Sequence, residues 1–194
     1  VIRYTTDGTL PNEHSKRYTG PFEIDRNTDF IFRSFATDGR KDAFVKVSYR
    51  KETPSEAVEV ADLAEGLSAE RHEYTGADCA GIEAAPVNGC YIVNDVVIPD
   101  SVKGNIGLII TGYIQVPEDG IYTFALLSDD GSTLKIDHQM VVDNDGEHSP
   151  REIIGQHAMK AGLHPIEVKF FDHNGGQLRL HVYNAQGKEV QVKY

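Results

Sequence analysis

The 194-residue chain has no tryptophan, two cysteines and two methionines. Without tryptophan, only nine tyrosines and eight phenylalanines remain to build an aromatic platform under a sugar ring. The cysteines, Cys79 and Cys90 in "CAGIEAAPVNGC", cannot make a structural zinc site without histidine partners, and no C-x-x-C occurs. A disulfide closing this loop fits an oxidising compartment; two free, buried thiols are the alternative. No apolar run approaches the ~20 residues of a membrane-spanning helix. The longest, "GLIITGYI", is interrupted by Gly112. Basic residues are also scarce, 19 against 30 acidic, for a net charge of −11. Nucleic acid and anionic membranes need concentrated Lys and Arg, so this balance argues against both as partners. Neutral glycans and cations remain compatible, and acidity also serves to keep a secreted or periplasmic protein soluble. The opening "VIRYTTDG" has no signal-peptide character and reads as mid-protein sequence.

What is present is β-structure. Residues 1–50 carry dense turn punctuation, "TTDGTLPNE", "YTGPF" and "ATDGRKD", between short stretches "VIRYTT", "FIFRSFA" and "AFVKVSYR". In "FIFRSFA", Phe30, Phe32 and Ser34 share one face and Ile31, Arg33 and Phe35 the other. Residues 51–66, "KETPSEAVEVADLAEG", are acidic and contain proline, and read as a linker. A short helix capped by Ser55 and an extended segment compete there. From 67 to 194, apolar runs such as "IGLIITGYIQV", "GIYTFALLS" and "STLKIDHQMVVD" alternate with "PEDG", "DDG", "DNDGEH", "KAGLH" and "DHNGGQ". In "QLRLHVY", Leu178, Leu180 and Val182 point inward, and "PIEVKFF" does the same with Ile166, Val168 and Phe170. The expected fold is all-β: a small sandwich over 1–50, then a β-barrel or sandwich over 67–194.

The stretch "LLSDDGSTLKID" sets Asp129 and Asp130 side by side. Adjacent strand residues face opposite ways, so the two cannot flank one glycosidic bond, for which carboxylates stand ~5–9.5 Å apart across the sugar. As a turn, Asp caps amides and Gly131 supplies the unusual backbone angle, making a hairpin corner. "DNDGEH", 143–148, lacks the glutamate at loop position twelve of an EF-hand and reads as a polar hairpin turn. His157 with His164, or His173 with His181, can meet across strands, yet no carboxylate companion marks a zinc site. Tyr74 and Tyr91 fall near loops, where a sugar contact and core packing are both open.

Two stretches resemble known families. "IRYTTDGTLPNEHSKRYTGPFEI" with "FRSFATDGRKDA" resembles the C-terminal module of bacterial chitobiase/β-hexosaminidase enzymes, an immunoglobulin- or fibronectin-like sandwich. That family has a further strand ahead of this point, so the resemblance implies a chain that starts partway into the module. "GYIQVPEDGIYTFALLSDDGSTLKIDHQMVVDNDGEH" with "KAGLHPIEVKFFDHNGG" resembles the PA-fourteen (PA14) domain of anthrax protective antigen, found in glycosidases, adhesins and toxins. His138 departs from it, standing where a turn glycine is usual, which makes a type I′ turn less comfortable.

The two modules together resemble the accessory region of a bacterial family-twenty glycoside hydrolase, a β-N-acetylhexosaminidase. That resemblance implies a secreted or periplasmic location and a catalytic domain elsewhere in the parent chain. It also implies contact with N-acetylhexosamine-containing glycan. The competing readings are a calcium-dependent glycan-binding adhesin module and a spacer without ligand. Family-twenty catalysis uses Asp-Glu after His-x-Gly-Gly. Here "HNGG", 173–176, is followed by Gln177 and Leu178, no Asp-Glu dipeptide occurs, and the loop reads as a hairpin. No catalytic residue is therefore assigned. In the calcium-binding adhesin branch of PA14, two consecutive aspartates joined by a cis peptide hold one Ca²⁺ that ligates sugar hydroxyls. The resemblance implies calcium at Asp129 and Asp130, with Asn174 as third ligand, against the plain turn. That adhesin loop is longer, and its pattern is not reproduced here.

Overall fold

The structure, a computed structural model, describes residues 1–36, 43–173 and 175–194. The chain divides into two compact units, Val1–Thr53 and Pro54–Tyr194. Both are built from antiparallel sheets, as the alternation requires, and none of the sheets closes into a barrel among the described residues.

The first unit is a four-stranded sheet in the order β2-β1-β3-β4, from β1 (Ile2–Thr5), β2 (Lys16–Arg17), β3 (Thr28–Ser34) and β4 (Phe44–Tyr49). The "TTDGT" turn forms because Asp7 Oδ1 accepts the Thr9 amide (3.0 Å) and hydroxyl (2.6 Å) while Gly8 adopts φ +81°. Phe30 and Phe32 share a face as expected, their rings stacked at 5.4 Å. Tyr4 from β1 and Phe22 join them. Ile31 on the opposite face is buried as well. The turn read from "ATDGRKD" falls on 37–42, outside the described residues.

The second unit sets a six-stranded sheet, order β10-β9-β12-β7-β5-β6, against a three-stranded one, β11-β8-β13. The strands are β5 (Leu67–His72), β6 (Val87–Val93), β7 (Ile106–Val116), β8 (Gly120–Asp129), β9 (Ser132–Ile136), β10 (Gln139–Asn144), β11 (Arg151–Met159), β12 (Gly162–Asp172) and β13 (Gln177–Tyr183). Their inward rows, among them Leu108, Ile110, Phe124, Leu126, Leu134, Val168 and Phe170, form one core. Leu178, Leu180 and Val182 of β13 join it, as their alternation predicts. Phe171 lies out of that alternation yet is fully buried. A 3-10 helix, Cys79–Ala84, covers the outer face there, and Tyr74, Cys79 and Ile82 pack on Phe171 as a second small core. Cys79 is buried and Cys90 exposed; both are free thiols.

Residues 54–66 form no helix. Ser55 bridges Met159 and Val58 bridges Leu163, so the extended alternative holds over the start of this segment. Strand β11 has no counterpart among the runs read from the sequence, because Gly155 interrupts "REIIGQHAM". The glycine is needed there: a Cβ would overlap the Val141 carbonyl of neighbouring β10. The hairpin β9–β10 turns at Asp137 (φ +51°) and His138 (φ +63°), so the two-residue left-handed turn forms despite His138. No helix is long and apolar enough to cross a membrane among the described residues.

The connections differ from the expected hairpins. "DDG" joins β8 to β9, "DNDGEH" joins β10 to β11, and "DHNGGQ" joins β12 to β13. Each leaves one sheet and enters the other. Register places all three at the same end: Arg151 pairs with Ser128, Gln177 with Asp129, and both Phe170 and Asn144 with Ser132. Turn residues are the same in a hairpin and in a sheet-crossing arch, so local chemistry cannot tell them apart. The partner strand is set by long-range pairing.

Candidate functional site at the crossing loops

Below the three crossings lies a buried polar tie. Ser128 and Ser132 hydroxyls meet at 2.7 Å, and Asn144 Nδ2 donates to Ser128 Oγ (2.9 Å) and to the Arg151 carbonyl (3.0 Å). Arg151 Nε returns a bond to Asn144 Oδ1 (2.6 Å). This network joins β8, β9, β10 and β11 where the sheets exchange strands. Above it the loops touch directly. A Cβ on Gly131 would overlap Phe171 and stand 2.8 Å from the Gly146 amide nitrogen, and one on Gly176 would overlap the Asp129 carbonyl. These glycines therefore let the backbones close on one another.

Asp129 and Asp130 sit on this platform, half-buried. The peptide bond between them is cis. Asp130 Oδ1 accepts the His148 amide (3.2 Å) from the "DNDGEH" loop. The His148 ring is held at both nitrogens, 2.9 Å from the Ser149 carbonyl and 2.9 Å from the Asn144 carbonyl. From the third loop comes Asp172, buried, whose Oδ2 accepts the Gly175 amide (2.6 Å). Burial and the carboxylates of Asp130 and Asp172 push the Asp129 carboxyl above its ordinary value, with His148 acting the other way. Among the described residues, no hydrogen-bond donor or ion-pair partner meets the Asp129 carboxylate. The neighbouring loop is fixed by Asp145, whose Oδ1 accepts the amides of Cys79 and Gly146 (both 2.8 Å). His173 lies 3.0 Å from the Gly76 carbonyl and 3.5 Å from Glu147.

These residues fit a hard cation in chemistry: adjacent carboxylates with the Asp172 carboxylate near enough to raise Asp129. They do not by themselves complete a coordination shell. No group of three or more His, Cys, Asp or Glu side chains among the described residues is arranged to hold a metal. Backbone carbonyls and Asn174 would have to supply the rest, and Asn174 lies outside the described residues. The hairpin-corner reading of the pair is corrected, since the flanking strands belong to different sheets. The same correction applies to "DNDGEH" and "HNGG". Gln177 opens β13 directly after the latter, with no carboxylate pair.

The histidines show what sequence reasoning missed. His157 and His164 do meet, and the absent companion is Asp137 from the β9–β10 turn. His157 Nε2 lies 3.1 Å from Asp137 Oδ2 and 3.0 Å from Ser55 Oγ. His164 Nδ1 lies 2.9 Å from the same Oδ2, while its Nε2 lies 2.9 Å from the Lys160 carbonyl. His164 is wholly buried. Ser55 and Asp137 approach the same ring nitrogen of His157, so no relay from hydroxyl to carboxylate through the imidazole exists. His173 and His181 do not meet; His181 instead pairs with Glu189 at 2.7 Å. Tyr74 is a core residue whose hydroxyl donates to the Asp78 carbonyl (2.6 Å), and Tyr91 packs half-buried against the main core. Neither forms an open sugar platform.

Comparison with known proteins matches residues 63–194 to the PA14 domain and residues 1–46 to the chitobiase/beta-hexosaminidase C-terminal domain. No curated protein sequence matches the chain. Among solved structures, a PA14 sugar-binding domain from an RTX adhesin superposes with a TM-score of 0.56 at 18% identity, covering 67% of this chain and 94% of that one. The epithelial adhesin 9 A domain from Candida glabrata, solved with Galb1-3GlcNAc, gives 0.56 at 9% identity, covering 72% and 90%. An anti-sigma factor domain-containing protein gives 0.56 at 17% identity, covering 99% and 73%. At these identities the likeness is one of fold. The family match spans well over half of the chain, and it coincides with the unit whose crossing loops gather Asp129, Asp130 and Asp172: this chain belongs to the PA14 domain family.

Proposed function

We propose that the chain is a non-catalytic, glycan-binding accessory region of an extracytoplasmic bacterial β-N-acetylhexosaminidase, positioning the catalytic domain of the same parent chain. The PA14 match over 63–194 carries the glycan part of this reading. The sugar-binding adhesin domains of the same fold support it. The match of 1–46 to a chitobiase/beta-hexosaminidase module supports the hydrolase parent. Within the PA14 unit, the crossing-loop end is the proposed contact site. Asp129 and Asp130, with Asn174, hold calcium there. The bound ion would offer open coordination positions to sugar hydroxyls. The chain's own part is to hold Asp130 against the His148 amide and to bring Asp172 beside Asp129.

The test is binding of immobilised N-acetylhexosamine-containing glycans by the 194-residue chain, with calcium and with EDTA. Calcium-dependent retention that disappears in Asp130→Asn is expected. Retention unaffected by both treatments would remove Asp129 and Asp130 from the reading. Absence of retention under every condition would leave the spacer as the better account.

A further inference from the structure

A second cleft lies away from the crossing loops, along the outer edge of β13. It has a volume of about 470 Å³, within the range of small-molecule sites. One wall is β13, the other the loop after β6, and the segment that follows β13 closes it. Its polar lining consists of Asn94, Asp95, Arg179, His181, Glu189 and Gln191. These groups are not equally engaged. His181 and Glu189 pair with each other at 2.7 Å, which ties the closing segment to β13. Val190 donates its amide to the Val182 carbonyl (2.8 Å) and strengthens the same tie. Asp95 is oriented by the Val96 amide, which donates to its Oδ1 (2.7 Å). The exposed Arg179 guanidinium has no ion-pair or hydrogen-bond partner among the described residues.

We propose that this cleft is a calcium-independent subsite for a neutral sugar ring, gripped by Arg179 together with Asp95, Asn94 and Gln191. The charge balance selects the class. With His181 and Glu189 satisfied by each other, one cation and one anion remain, so a charged ligand would leave one of them facing a like charge. Sugar hydroxyls both donate and accept. Arg179 supplies donors, Asp95 acceptors, and the two amides supply both. Val97, Val190 and Val192, only partly buried in the lining, offer apolar surface for the C–H face of a ring. The proposal goes beyond the Asp129–Asp130 site and does not depend on it.

The experiment is two-dimensional NMR of the full chain in EDTA, titrated with glucose, galactose, mannose and N-acetylglucosamine in turn. Shifts at Asn94, Asp95, Arg179 and Gln191 amides are expected with at least one of these sugars, and also in Asp130→Asn. Arg179→Ala removes no hydrogen bond or ion pair found among the described residues and should fold normally, yet weaken that binding about tenfold or more, as loss of a charge-assisted hydrogen bond does. Gln191→Ala should weaken it less. If none of the four sugars shifts the cleft, or if Arg179→Ala binds like the parent, the proposal is wrong. A parallel titration with calcium in place of EDTA that shifts only the Asp129–Asp130 loop would overturn it while sustaining the proposed function.

Discussion

The PA14 unit contains two polar clusters built around carboxylates, and they are finished to different degrees. Around Asp137, the carboxylate faces two imidazoles, the second nitrogen of His164 faces a carbonyl, and a serine hydroxyl fills the remaining side. Around Asp129, burial and the carboxylates of Asp130 and Asp172 raise the cost of charge, and among the described residues no donor reaches the Asp129 carboxylate. A buried polar group without a partner is costly, so folds tend to complete such clusters from within. The Asp137 cluster is completed that way, and its role ends in holding the β9–β10 turn, β11, β12 and the Ser55 segment together. The Asp129 cluster is not completed in that way among the described residues, and the proposed calcium site rests on that difference.

The largest expected effect falls on the closed cluster. Asp137→Asn keeps the size of the side chain and suits the left-handed backbone at this turn. It replaces one carboxylate oxygen by a donor facing imidazoles. Urea unfolding should show a loss of about 2–3 kcal/mol, the cost of breaking a buried hydrogen-bonded network. Calcium should not restore any of it. A loss below half of that would mean that the cluster is less finished than its distances suggest.

The open cluster should respond to ligand instead. With calcium at a hundredfold excess over its dissociation constant, the folded state gains about 2.7 kcal/mol by mass action. The melting temperature should rise accordingly, and Asp130→Asn should abolish the rise. Without calcium, the same substitution should change stability by under about 0.5 kcal/mol, because it removes one of several repelling charges near the surface. A wild-type melting temperature indifferent to calcium would make the two clusters alike and leave Asp129 and Asp130 without a ligand.

The sheet core and part of the open cluster were legible in the sequence, whereas the centre of the closed cluster was not. The alternation in "QLRLHVY" and "PIEVKFF" is a one-dimensional trace of a two-faced sheet, and it placed Leu178, Val168 and Phe170 in the core. Adjacency alone singled out Asp129 and Asp130. What could not be read is which loops meet. "DDG", "DNDGEH" and "DHNGG" each carry ordinary turn chemistry, and only strand order brings them to one end of the sandwich. His157 and His164 failed to find Asp137 for the same reason: the carboxylate lies 20 and 27 residues away in the chain. Strand β11 was hidden by Gly155, whose lack of a side chain serves a neighbouring strand rather than its own pattern.

A smaller effect separates the turn from the cluster it carries. His138 sits at φ +63°, where a side chain is disfavoured and glycine is at ease. His138→Gly should therefore stabilise the protein by about 0.5–1 kcal/mol, partly offset by the extra freedom of glycine in the unfolded chain. The gain should be additive with calcium, since His138 belongs to the β9–β10 turn and Asp129 and Asp130 to the crossing loops at the other end of β9. Thermal melts of the four combinations measure this directly, and coupling above about 0.5 kcal/mol would show that the two ends communicate.

The smallest effect is the pH response of Asp129, which is best read as a difference between wild type and Asp129→Asn in EDTA. Its carboxyl is pushed up in the fold by burial and by Asp130 and Asp172. The folded state therefore holds that proton more tightly than the unfolded chain does, and protonation favours folding. As pH falls through the raised folded value towards the ordinary 3.8, wild type should gain stability relative to Asp129→Asn, and below 3.8 the difference should stay constant. Asp129 is half-exposed, so screening keeps the difference small. With calcium the sign reverses. The ion favours the ionised carboxylate, so acid should then remove stability that the wild type has and the variant lacks. Difference melts at several pH values, with and without calcium, would reveal that reversal. The same slope in both conditions would show that no cation reaches Asp129.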